Sequence, residues 1–160
     1  MSAEALLESM TKLIRLHKSL SELSARKTGI IKAGDTEALS QILKEEQTHV
    51  AAIRRIENDR QKTAAALVPG KATPTISDCL EVLSLPDQKK LASLTEELAE
   101  AILHIKEAND LNQQLLDQSL QYINVSMNLM RPQPDNINYG PAAGQQNKQL
   151  PSQGLFNSKA

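Results

Sequence analysis

The chain has 160 residues, enough for one domain, with a net charge of −1 from 18 basic and 19 acidic side chains, no Trp, one Phe and two Tyr. That balance lacks the basic footprint of a nucleic-acid binder, and a lone cysteine, Cys79, excludes an internal disulfide and a cysteine metal cluster. Apolar content that is mostly Leu, Ile and Ala favours helix over sheet, so the expected class is all-α.

The opening MSAEALLESM carries acids early and no continuous apolar run, unlike a signal peptide. No window approaches ~18 uninterrupted apolar residues, so no stable membrane insertion is expected, and the reading is a soluble, cytoplasmic protein. A first helix is predicted over residues 3–32, where Leu6, Met10, Leu13, His17, Leu20, Ser24, Lys27 and Ile31 step by three and four, a heptad stripe with polar interruptions in its second half. AGDTEAL breaks it: Gly34 suits a C-terminal cap and Asp35 an N-terminal one, with Glu37 in the following first turn. So short a break predicts an antiparallel hairpin with a second helix over 36–67, its apolar face made by Leu39, Ile42, Leu43, Val50, Ile53 and Ile56.

VPGKATP ends that helix, because Pro69, Gly70 and Pro74 do not fit a regular helix interior. Thr75 followed by Asp78 has capping-box spacing and opens a short helix over 76–83. Ser84 and Pro86 start a last helix over 86–131. The helical domain is therefore predicted as 1–131. From 132 to 160 Pro recurs among Gly, Asn, Gln and Ser, a composition that cannot bury enough apolar area to offset its ordering entropy, and a disordered tail is expected.

The last helix poses the functional question. Leu91, Leu94, Leu98, Ile102, Ile105, Asn109, Asn112, Leu116, Leu120, Ile123, Met127 and Met130 form one stripe, the face expected to pack on the hairpin. After Asp110 a second stripe begins, Leu111, Leu115, Tyr122 and Leu129 with Val125 at its edge, and Asn112, Ser119 and Ser126, seven residues apart, lie between the two. Residues 86–110 hold nine charged side chains, whereas Leu111–Met130 hold only Asp117. Loss of charge beside surplus apolar surface fits burial against a second helical partner, and the methionines suit an adaptable contact. The partner-binding set is Leu111, Asn112, Leu115, Leu116, Ser119, Leu120, Tyr122, Ile123, Met127, Leu129 and Met130. Two alternatives stay open: the short helix over 76–83 covers the second stripe, or the stripe is the seam of a homodimer in a structural coiled-coil module.

No catalytic constellation emerges. Glu46 and His49 have the Glu-x-x-His spacing of di-iron bundles, but such sites need a second pair and further Glu residues, and Glu100, His104 and Glu107 do not supply them. His17 reads as a boundary core residue, Cys79 as a small hydrophobe, and Arg54, Arg55 and Arg60 as solvating a helix face. No Gly-rich phosphate loop is present, and no enzyme activity, cofactor or metal site is expected.

GIIKAGDTEALSQILKEEQTHVAAIRRIENDR resembles the hairpin of FlgN-type flagellar export chaperones, with Gly34 and Asp35 at the turn and Arg60 closing the second helix. NDLNQQLLDQSL is similar to that family's Asn-x-x-Asn-x-x-Leu-Leu signature, at Asn109, Asn112, Leu115 and Leu116, and NYGPAAGQ looks like its Tyr-Gly tail motif, at Tyr139, Gly140, Gly144 and Gln145. The resemblance implies a cytoplasmic chaperone of type III export. Such a chaperone holds the C-terminal amphipathic segment of hook-associated (hook–filament junction) proteins on its last helix, prevents their premature association and delivers them to the export gate. It also implies that Tyr139 and Gly140 contact the flagellar export gate component.

Overall fold

The computed structural model describes residues 2–130, which fold into four helices without a strand among them: α1 (Ala3–Ala33), α2 (Thr36–Leu67), α3 (Ile76–Val82) and α4 (Leu85–Met130). The expected all-α class and hairpin hold, with helix ends within a residue or so of those read from the caps. The tail expectation for 132–160 lies outside the described residues. The chain divides into two units, Met1–Ile123 and Asn124–Ala160.

The caps work as the sequence implies. Ser2 and Asp35 accept from the amides of Ala5 and Ala38 at the starts of α1 and α2. Gly34 closes α1 at φ 69°, a left-handed conformation costly for any side chain, and its amide donates to Ile31 O while that of Asp35 donates to Ile30 O. Thr75 and Asp78 form a complete capping box on α3, each side chain accepting from the other's backbone amide at 3.2 and 2.8 Å. The Lys71 ammonium and, next, the Thr75 amide hold the Asp78 carboxyl down to about 2, below its ordinary value.

In the first unit α2 runs antiparallel to α1. The Ser19 hydroxyl lies 2.8 Å from His49 Nε2 at a half-buried position, and Lys27 Nζ lies 2.8 Å from Glu46 Oε1, largely shielded from water. These partners account for Glu46 and His49. Arg60, expected to solvate a helix face, instead makes a bidentate pair with Glu57 at 2.8 and 2.6 Å, because both fall one helical turn apart on a half-buried face. The main core lies where the start of α1, the end of α2, α3 and the start of α4 converge: Leu6, Met10, Ala64, Cys79, Leu83 and Leu91 are buried together. Burial pushes the Cys79 thiol up, consistent with its reading as a small hydrophobe.

The α1–α4 seam differs from the predicted stripe. Leu91, Ala101 and Asn112 are buried, and Leu94, Leu98, Ile105, Ala108 and Leu115 half-buried, a strict alternation of three and four. Ile102, placed on the packing face by the sequence reading, is 47% exposed. The small side chains Ala101 and Ala108 occupy the seam in its place, and a stripe drawn through the large apolar residues drifts off it. Leu120 and Ile123, also expected against the hairpin, are exposed.

Candidate partner-docking surface

The register of α4 on α1 is fixed by a polar clasp. Asn112, 1% exposed, donates from Nδ2 to Ser24 O at 2.9 Å and accepts on Oδ1 from the Thr28 hydroxyl at 2.5 Å. The Ser24 hydroxyl, itself buried, donates to Asn109 Oδ1 at 3.4 Å. Among the described residues no buried side-chain N or O atom lacks a partner. Since Leu6 neighbours Leu91 and Thr28 meets Asn112, α1 and α4 run in the same direction and advance together. α1 stops at Ala33, so its end comes level with α4 near Asp117, while α4 continues through the rest of the first unit to Ile123.

That mismatch in length leaves the part of α4 beyond Asp117 without α1 beside it. Within the first unit Leu111, Leu120, Tyr122 and Ile123 are exposed, Tyr122 at 75% and Leu120 at 58%. Leu115 is half-buried and, with Ser119, Tyr122, Ile123 and Ile31 of α1, lines a notch of about 340 Å³. Leu116 is half-buried beside Leu20 and Val50, on the side of α4 that faces the hairpin groove. Asn112, which the sequence alone groups with the partner-binding residues, has its amide spent on α1, and we assign it to the α1–α4 seam. The second unit is described over Asn124–Met130, the last turns of α4, where Val125, Met127, Leu129 and Met130 are all exposed.

The surface is nearly uncharged: Asp117 is its one acid, and that carboxylate accepts from the Gln113 side chain at 3.1 Å on the polar back of the helix. α3 does not cover it, since Cys79 and Leu83 pack in the core at the other end of the hairpin. Sequence reasoning missed Ile31 and Lys32, which border the notch. The available signal was position: Ile31 is the last member of the α1 stripe and stands just before the Gly34 cap, so it is buried at the edge of the hairpin tip. Tyr139 and Gly140 lie outside the described residues. No described helix is long and apolar enough to cross a membrane.

A chain whose described residues form helices alone, and whose last helix shows uncovered leucines and a tyrosine in the first unit, falls in the class of helical docking proteins. The family model described as FlgN protein matches residues 1–147, and the chain belongs to the FlgN family of flagellar export chaperones. It is also similar to a protein of Bacillus subtilis (strain 168) described as uncharacterized protein YvyG, at 36% identity over 160 residues, covering 100% of both chains. No solved structure matches it.

Proposed function

We propose that this chain is a cytoplasmic chaperone that holds the C-terminal amphipathic helical segment of hook-associated (hook–filament junction) proteins, keeps them from associating early and delivers them to the type III flagellar export gate. The observation that carries the reading is the exposed, almost uncharged apolar surface of α4 over Leu111–Ile123, which the rest of its unit leaves uncovered. Family membership supports the flagellar role. The exposed Leu129, Met127 and Met130 of the second unit have the same chemistry.

Burial of five such side chains contributes about 7–15 kcal/mol gross. Lost rigid-body freedom and side-chain ordering cost about 4–15 kcal/mol. The balance is a reversible complex in the micromolar-to-nanomolar range, suited to cargo that must be released. Tyr139 and Gly140 are proposed as the export-gate contact on the resemblance of their motif alone.

Calorimetric titration with the C-terminal peptide of a hook–filament junction protein from the same genome tests the reading. Leu115→Asp and Tyr122→Asp should each weaken binding about tenfold or more with helicity retained, and unchanged affinity would count against it. The homodimer alternative is decided by light scattering of the free chain. A concentration-independent dimer that Tyr122→Asp dissociates would assign the surface to a second copy.

A further inference from the structure

The reading above places the partner on α4 alone. We propose that the tip of the α1–α2 hairpin is the second wall of the same site. An apolar side chain of the incoming helix enters the notch between Ile31 and the Leu115–Tyr122 face, and an acidic side chain of that helix pairs with Lys32. The proposal rests on the reading of this surface as the cargo seat, and it names the cargo's chemistry there: an amphipathic helix that carries a carboxylate beside its apolar stripe.

The notch follows from the cap. Gly34 turns the chain out of α1 at φ 69°, so α1 ends while α4 continues. Ile31, 7% exposed, therefore presents one flank to a space that Leu115, Ser119, Tyr122 and Ile123 border from the other side. Lys32 is the one charged side chain bordering that space. Among the described residues no carboxylate lies within 4.0 Å of its ammonium.

The nearby acids are turned elsewhere. Asp117 is held by Gln113, Asp35 is engaged with the Ala38 amide, and Glu37 borders a different depression with Ser40, Gln41 and Lys44. The notch thus offers apolar walls and a single cation. An occupant with a carboxylate is favoured, and one that places Lys or Arg there is repelled. Lys32 also stands in the last turn of α1, where a cation favours the helix end without any partner, so the test must separate the two roles.

The same peptide titration does so when run at low and high salt on the wild-type chain, Lys32→Gln, Lys32→Glu and Tyr122→Asp, with peptides in which each acid in turn becomes Lys. Lys32→Glu should weaken binding about five- to tenfold at low salt, Lys32→Gln less, and both losses should shrink at high salt. One acid-to-Lys peptide should bind the wild-type chain poorly and regain affinity for Lys32→Glu, a rescue that a helix-end role does not produce. If Tyr122→Asp abolishes binding while both Lys32 variants bind like wild type and no charge swap rescues, the hairpin-tip contact is overturned and the docking reading stands. If Tyr122→Asp binds like wild type, or the wild-type chain does not bind, both are overturned.

Discussion

Asn112 occupies a position where a heptad would ordinarily place leucine, and its amide instead joins two α1 groups one turn apart, the Ser24 carbonyl and the Thr28 hydroxyl. A buried amide of this kind specifies register more than it adds stability. Asn112→Ala should cost about 1–3 kcal/mol in chemical denaturation, because it leaves a gap in the seam and removes both bonds of the amide to α1, while the Thr28 hydroxyl keeps the Ser24 carbonyl at 3.1 Å. Asn112→Leu should come within about 1 kcal/mol of wild type yet broaden the amide spectrum around Ser24, as α4 loses its one specified alignment. A second residue-scale test is acid titration of Asp78. Its carboxyl is depressed to about 2, so its contribution to the start of α3 is complete above the ordinary carboxylate range and is lost as pH falls through about 2. Protection of the Cys79 amide, whose N–H bonds Thr75 O, should fall relative to its intrinsic exchange rate over that interval, and Asp78→Asn should flatten the dependence.

Among the elements, α1 to α3 were legible because their boundaries are written in local chemistry: Asp35, Gly34 and the Thr75–Asp78 box each satisfy backbone groups within a few residues. The packing face of α4 was not, because a seam against a parallel helix follows a 3.5-residue repeat whatever fills it, and here alanines fill two of its positions. A stripe of large apolar residues passes from Leu98 to Ile102, whereas the buried position is Ala101. Two substitutions check this register. Ala101→Leu should destabilise by about 1–3 kcal/mol through overpacking against α1, and Ile102→Ala by well under 1 kcal/mol, as thermal or denaturant melts would show. Equal costs would mean the seam is drawn wrongly.

For the molecule as a whole, the sequence could announce a surplus of apolar surface but not where its own chain would leave that surface open. Charge depletion after Asp110 marks a stretch of α4 in which Leu120 and Tyr122 are exposed. Asn112 could not be separated from its neighbours, since an asparagine reads alike on a docking face and in a buried clasp. Ile31 and Lys32 join the surface only through the register that Asn112 sets, a long-range contact with no local signature. Leu120, Tyr122 and Ile123 sit where α4 runs past the end of α1, so this length mismatch leaves apolar surface without a neighbour from the hairpin.

Hydrogen exchange along α4, with and without the C-terminal peptide of a hook–filament junction protein, tests the central claim most directly. The account predicts rapid exchange over residues 111–123 in the free chain and strong slowing there on binding, with 85–110 little changed. Slowing confined to α2 or the start of α4, with 111–123 exchanging as before, would contradict it.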